Sequence, residues 1–299
     1  CTSAAMDGAA EGGHLSVVEW LNTNRLEGCT IDALEKAAAS GHLAVVKWLH
    51  EKCSLECTPS AVKYAAGKGH LSVVEWLYEN YPEARREGGM TFEALDYAAS
   101  GGHIEVMEWL HSNTNCSKNP LDLKCTVSME AMVLAAANGH LAVVEWLHCH
   151  GLEGCNVDGR AMDLAALGGY LSVVEWLHAN RQEGCSSRAM GFAIKRGHLS
   201  VVEWLHRNKN RIVVSSPVDE MTYYNWNLTH AAEDGYLSVL EWLAANDCKT
   251  FQAQIAANED NTYLTNIFQN AVTLACESGY FAVVQWVFQY SLLLMSESL

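Results

Sequence analysis

Histidine, glutamate, tryptophan and cysteine recur in this chain at fixed places, and each type carries chemistry. Eleven of the 13 histidines form two sets, one directly after a glycine and one directly after Trp-Leu: His50, His111, His148, His178 and His206. Imidazoles ligate metals and shuttle protons. Glu19, Glu75, Glu108, Glu145, Glu175, Glu203 and Glu241 form a third set, and a carboxylate pair is what acid/base catalysis requires. Trp20, Trp48, Trp76, Trp109, Trp146, Trp176, Trp204, Trp242 and Trp286 form a fourth, a ladder on which ligands would stack or electrons pass. "HCH" at 148–150 is the local cluster of metal-ligating types, and the 11 cysteines are candidate thiols or disulfides.

What these sets can do depends on the elements that carry them. The nine letters "GHLSVVEWL" stand at 13–21, 69–77 and 197–205, and near-copies bring the total to nine. Their glycines, from Gly13 to Gly279, are 28, 28, 33, 37, 30, 28, 38 and 44 residues apart. A period of that size marks a stack of supersecondary units, so 299 residues form one repeat array rather than two ordinary domains. The expected repeats are 1–28, 29–56, 57–89, 90–125, 126–155, 156–184, 185–221, 222–262 and 263–299.

Each repeat reads as two short helices. In "TIDALEKAAASGHLAVVKWLH", Thr30 is suited to cap a first helix and Gly41 to stop it. Thr58, Thr91, Ser128, Asp158 and Ser186 hold the same cap position, and Pro59 follows Thr58 at the first helical position, where its missing N–H costs nothing. The 3.6-residue period puts Ala33, Leu34, Ala37 and Ala38 on one face. A second helix turns Leu43, Val45, Val46, Trp48 and Leu49 inward and Ala44 and Lys47 outward. Neither helix buries its apolar side alone, so stacked pairs in one elongated all-α solenoid, with little or no β-hairpin, are expected.

The phrase "ALxxAAxxGHLxVVxWL" resembles the ankyrin repeat over essentially the whole chain. It departs from that family by lacking the Thr-Pro-Leu-His tetrad: Glu35, Lys63, Asp96, Asp163 and Thr229 stand where its histidine would fall. The short 28-residue units, the Trp-Leu-His ending and the "EGC" joints look most like the shortened, expanded ankyrin-type arrays of oomycetes. The resemblance implies protein binding without intrinsic catalysis.

Within such a stack the chemical sets acquire structural roles. One Trp per repeat is a packing signature, worth at most about 4 to 6 kcal/mol each if fully buried. The His after Trp-Leu lies on the helix flank opposite Trp, so a Trp of one repeat meets the His of its neighbour. Columns spaced by a helix layer do not converge as zinc requires, and adjacent residues of "HCH" diverge on a helix. The glutamates form a solvated stripe that selects basic partners at most. Cys1, Cys29, Cys57 and Cys185 precede the caps, too far apart in adjacent layers for disulfides. Cys53 with Cys57, or Cys116 with Cys125, would pair only if their loops fold back. The cysteines are therefore read as small buried hydrophobes in a reducing compartment, cytoplasmic or nuclear. No nucleophile elbow, phosphate loop, dinucleotide fingerprint or zinc-protease helix occurs, so neither an enzyme nor a cofactor is expected.

With 19 basic against 35 acidic residues, the net charge of −16 repels nucleic acid and anionic lipid. The tail "GYFAVVQWVFQYSLLLM" at 279–295 is marginal for a membrane span, and half of it is a repeat helix. The chain starts at Cys1 without an export signal and reads as a section of a longer protein with repeats upstream; Leu292 to Met295 read as an end cap or a domain contact.

Specific binding belongs where the copies disagree. One such place is the exposed side of the first helices, expected to be concave and to carry Tyr64, Lys68, Tyr97, Asn138, Leu164, Leu167, Phe192, Lys195 and Arg196. The other is the insertions between repeats, "NYPEARREGGM", "SNTNCSKNPLDLKC", "NKNRIVVSSPVDEM" and "CKTFQAQIAANEDNTY". The expected function is a monomeric scaffold gripping a protein or peptide; the alternative is a structural spacer between flanking domains.

Overall fold

The structure, a computed structural model, describes residues 3–25, 28–55, 58–81, 89–113, 130–151, 159–186, 188–208, 229–246 and 262–297. It divides into two compact halves, Cys1–Asn156 and Val157–Leu299. The first holds the helix pairs α1 (Ala4–Glu11) and α2 (Leu15–Asn24), α3 (Ile31–Ala39) and α4 (Leu43–Cys53), and α5 (Pro59–Gly67) and α6 (Leu71–Asn80). It continues with α7 (Gly89–Gly101) and α8 (Ile104–Asn113), then α9 (Glu130–Ala137) and α10 (Leu141–Cys149). The second half holds α11 (Arg160–Gly168) with α12 (Leu171–Asn180), α13 (Arg188–Lys195) with α14 (Leu199–Arg207), and α15 (Thr262–Glu277) with α16 (Phe281–Glu297). Helical stretches at 229–233 and 237–246 form a further pair, and there is no strand among the described residues. Each half is thus an all-α stack of repeats, of the solenoid class.

Local signals place the helices as the sequence predicts. Thr30 and Thr58 accept hydrogen bonds from the N–H groups of Ala33 (3.1 Å) and Ala61 (3.3 Å). Ser186 accepts from Arg188 N–H at 3.1 Å. Thr91, expected to be a cap, falls inside α7, which already begins at Gly89, while Ser128 and Asp158 lie outside the described residues; α11 starts from Gly159, in the left-handed conformation at φ 70°. At the other end, Gly41 has φ 79°, its N–H donates to Ala38 O at 3.1 Å, and His42 N–H donates to Ala37 O at 2.9 Å. This paired closure satisfies two carbonyls at the helix end and needs the left-handed residue that glycine supplies.

The core follows the predicted faces with one correction. Ala33, Leu34, Ala37 and Ala38 are completely buried, as are Val46 and Leu49. The tryptophans, expected inside, are half-buried at most positions, and Trp20 is 59% exposed. At about 100° per residue, Trp48 lies roughly a quarter turn or more from the centre of the Val45, Val46 and Leu49 stripe, on its flank. From that flank several tryptophans meet a ring of the neighbouring repeat edge-on. The His50 and Trp76 centroids are 5.3 Å apart, His111 and Trp146 5.6 Å, His178 and Trp204 4.9 Å, and His206 and Trp242 5.1 Å. Tyr78 takes the histidine's place against Trp109 at 5.2 Å.

Two further ties join successive repeats. Within each half, the ring after a glycine covers the glycine of the preceding repeat: a Cβ on Gly13 would lie 2.5 Å from His42 Nδ1, and one on Gly41 2.5 Å from His70 Nδ1. Where tyrosine replaces histidine the ring still sits there, Tyr236 over Gly197 and Tyr280 over Gly235. His140 and His198 also donate from Nε2 to the carbonyls of Ser100 (3.0 Å) and Leu167 (3.1 Å). The second tie is a carboxylate. Thr30 donates to Asp7 and Thr58 to Glu35, while Asp163 accepts from both Ser186 N–H (2.8 Å) and Ser186 Oγ (2.5 Å). In each case an acid on one first helix fixes the cap of the next.

The cysteine reading is corrected in part. Cys185 is buried, and burial with the nearby Asp163 carboxylate pushes its thiol up to about 12. Cys149 and Cys276 are exposed rather than buried. Cys29 and Cys53 form a disulfide across a Cα separation of 6.1 Å. One precedes the cap of α3 and the other ends α4, so both belong to one repeat, not to equivalent positions in adjacent layers.

Candidate interaction surface

The residues of the first-helix face divide between the two halves. In the first half, Tyr64 on α5 and Tyr97 on α7 are 40% and 39% exposed, with ring centroids 6.0 Å apart in an edge-to-face arrangement. Lys68 caps α5 and is exposed. Asn138 follows α9, is exposed, and donates from Nδ2 to Ser100 O and Oγ, each at 3.0 Å. In the second half Leu164, Leu167, Phe192 and Lys195 are half-buried and Arg196 is exposed. Leu164 and Leu167 are thus partly packing residues, and the Leu167 carbonyl is the acceptor for His198.

The arrangement that brings side chains together is the tyrosine pair, through two residues the sequence reading left out of the site. Lys63 Nζ lies 5.6 Å from the Tyr64 ring centroid and 5.5 Å from that of Tyr97, and pairs with Glu93 at 3.2 Å. The hydrogen bond to Glu93 raises the Lys63 pKa above its ordinary value, so the ammonium is retained beside both rings. Two glycines clear the surface next to them. A Cβ on Gly67 would lie 3.2 Å from Tyr97 Cβ, and one on Gly101 would lie 2.3 Å from the Gly67 carbonyl oxygen. The α5 and α7 backbones therefore approach closely, with Gly67 against the Tyr97 side chain.

Other sets have settled structural partners. His150 stacks on Trp146 at 4.1 Å, and its Nδ1 donates to the Trp146 carbonyl at 2.8 Å. Asn24, Asn80, Asn113, Asn180, Asn208 and Asn246 make the same bond to the tryptophan carbonyl four residues back, a helix-end column hidden in the recurring asparagines. Among the described residues no group of three or more His, Cys, Asp and Glu has the geometry to hold a metal ion. Burial, and then the neighbouring His150, hold the His111 pKa below its ordinary value. The glutamate column is exposed at Glu19, Glu108, Glu145, Glu175 and Glu241 and half-buried at Glu75 and Glu203. Most of the four insertions and the side chains of Leu292 to Met295 lie outside the described residues. No described helix is long and apolar enough to cross a membrane.

A search of curated proteins returns no match. The family model for ankyrin repeats, three copies, matches residues 5–87, 34–122 and 95–188, together more than half of the chain. That match and the repeated helix pairs, each closed by a left-handed glycine, lead to one assignment: the chain belongs to the ankyrin repeat family.

Proposed function

We propose that the chain is a monomeric, non-catalytic scaffold that binds a protein or peptide along the face of its first helices, with the insertions between repeats adding contacts. Ankyrin repeats are in general protein–protein interaction modules, and proteins built of them are typically non-catalytic. The observation that carries the reading is the Tyr64 and Tyr97 pair, two rings kept about two-fifths exposed while the alanines beneath them are completely buried. Aromatic side chains with few rotatable bonds lose little entropy on binding, which is why they anchor interfaces. The uniform glutamates on the second helices supply charge without pattern, which speeds encounter more than it discriminates.

The test is a comparison of faces. A partner captured with the full chain is identified, and its affinity is measured for the native protein, for Tyr97→Ala and Phe192→Ala, and for Glu145, Glu175 and Glu203 changed together to Gln. The scaffold reading expects a large loss from at least one aromatic change and a salt-sensitive change in association rate from the charge variant. Loss confined to the charge variant would move the site to the second helices. Unchanged affinity in all three would leave the insertions or a spacer role.

A further inference from the structure

We infer that the face formed by α3, α5 and α7 takes an extended acidic peptide, an apolar side chain seating on the Tyr64 and Tyr97 rings and carboxylates meeting Lys36 and Lys68. The inference rests on the first-helix reading above and names the partner's chemistry. Lys36, Tyr64 and Tyr97 occupy the same register on three successive first helices, each six residues or fewer before the glycine that closes its helix. Lys68 stands at the C-terminal end of α5, directly after Gly67, where α5 and α7 approach closely.

Charge selects the partner. The chain carries a net −16, yet on this face the exposed Lys36 and Lys68 stand against two exposed acids, Asp32 and Glu93, of which Glu93 is taken by Lys63. Lys63 is occupied by Glu93, and Glu35, the buried-side acid of α3, is occupied by Thr58. Lys36 and Lys68 are exposed and have no carboxylate partner among the described residues; Asp32, one turn before Lys36, makes no ion pair with it. The Lys63 and Glu93 pair holds the ring neighbourhood in place before any ligand arrives, so the aromatic seat costs little ordering on binding. A basic peptide would be drawn to the second-helix glutamates and repelled here.

The experiment uses the full chain and three fluorescein-labelled dodecapeptides of one design, two central leucines flanked by glutamates, by glutamines or by lysines, with binding read by anisotropy. At low ionic strength the glutamate peptide is expected to bind about fivefold tighter than the glutamine peptide, the yield of two exposed ion pairs. The preference should shrink at about 300 mM salt. Lys36→Gln with Lys68→Gln should erase it while leaving the glutamine peptide's Kd unchanged, and Tyr97→Ala should weaken both peptides; far-UV circular dichroism confirms that each variant keeps its helices. Equal binding of the glutamate and glutamine peptides, a preference that survives the lysine changes, tightest binding of the lysine peptide, or no binding of the glutamate peptide would overturn the inference. If the charge preference is absent but Tyr97→Ala still weakens the glutamine peptide, first-helix binding stands and only the acidic ligand falls.

Discussion

Replacing Gly41 and Gly28 separately by alanine distinguishes backbone strain from inter-repeat packing. Both glycines are left-handed, at φ 79° and 74°, so alanine at either position pays the same conformational cost of about 1 to 2 kcal/mol. They differ in what surrounds them. A Cβ on Gly28 meets nothing within 4 Å, whereas one on Gly41 lies 2.5 Å from His70 Nδ1, 2.7 Å from Cε1 and 2.9 Å from Cγ. The His70 ring as a whole has to leave its seat, an overpacking cost of about 1 to 3 kcal/mol. Gly41→Ala should therefore cost about 2 to 5 kcal/mol and Gly28→Ala about 1 to 2. Urea unfolding, followed together by circular dichroism and tryptophan fluorescence, measures both. In a His70→Ala background the ring is absent, and the cost of Gly41→Ala should fall to the Gly28 value, a coupling of about 1 to 3 kcal/mol. Equal costs for the two glycines, or no coupling with His70, would refute the ring-on-glycine joint as a stabilising contact.

Other consequences can be checked in the same way. Asp163→Ala removes the acceptor of Ser186 N–H and Oγ and should cost about 2 to 3 kcal/mol in urea unfolding, with Asp163→Asn costing less; no loss would mean that water replaces the carboxylate. Trp146→Ala should cost about 2 to 3 kcal/mol, less than for a fully buried indole because Trp146 is half-buried, while Glu145→Ala should stay within about 0.5 kcal/mol. With its thiol pushed up to about 12, Cys185 should react with a thiol reagent at neutral pH far more slowly than exposed Cys149, as mass spectrometry of the labelled chain would show. Burial holds His103 and His111 below the ordinary histidine value, so the unfolded chain binds more protons as pH drops through about 6.5, and Tm should fall between pH 7 and 5. His111→Gln should reduce that fall, whereas a Tm that rises on acidification would contradict the sign.

Much of the fold is legible because the same physical solution is written repeatedly. The Ala33, Leu34, Ala37 and Ala38 face, the Thr30 cap and the Gly41 stop each follow from local geometry and need no knowledge of neighbours. The meeting of His50 with Trp76 is also readable, since the two residue types lie on opposite flanks of identical helices. What the sequence misjudges is degree. A helical wheel ranks Trp48 among the apolar residues but does not say that three smaller side chains already fill the interior. The disulfide is missed because Cys29 and Cys53 meet through the return of the chain at one end of a helix pair, which no periodicity encodes. The tyrosines of the site are found from their departure from the repeat, but Gly67 and Gly101 read as punctuation until the approach of α5 to α7 shows what a Cβ would strike.

The proposed interaction surface sits where a structural column is interrupted. At the register of Asp7, Glu35 and Asp163 an acid on one first helix reaches the cap hydroxyl of the next, taking a place where the family's tetrad carries histidine. Asp7 and Asp163 are 7% and 6% exposed, so each acid is withdrawn from solvent and serves the stack. Lys63 holds the same register on α5 and cannot accept from a hydroxyl; it turns to Glu93 and comes to rest beside two tyrosine rings. A lysine at the register where Asp7, Glu35 and Asp163 cement their repeats thus turns that position of α5 into a surface feature. The cation there stands beside both rings while it is paired with Glu93, and the exposed Lys36 and Lys68 lie on the same group of first helices. Uniform positions make the stack, and the departure at Lys63 gives one part of it a chemistry that the register's acids, Asp7, Glu35 and Asp163, do not supply.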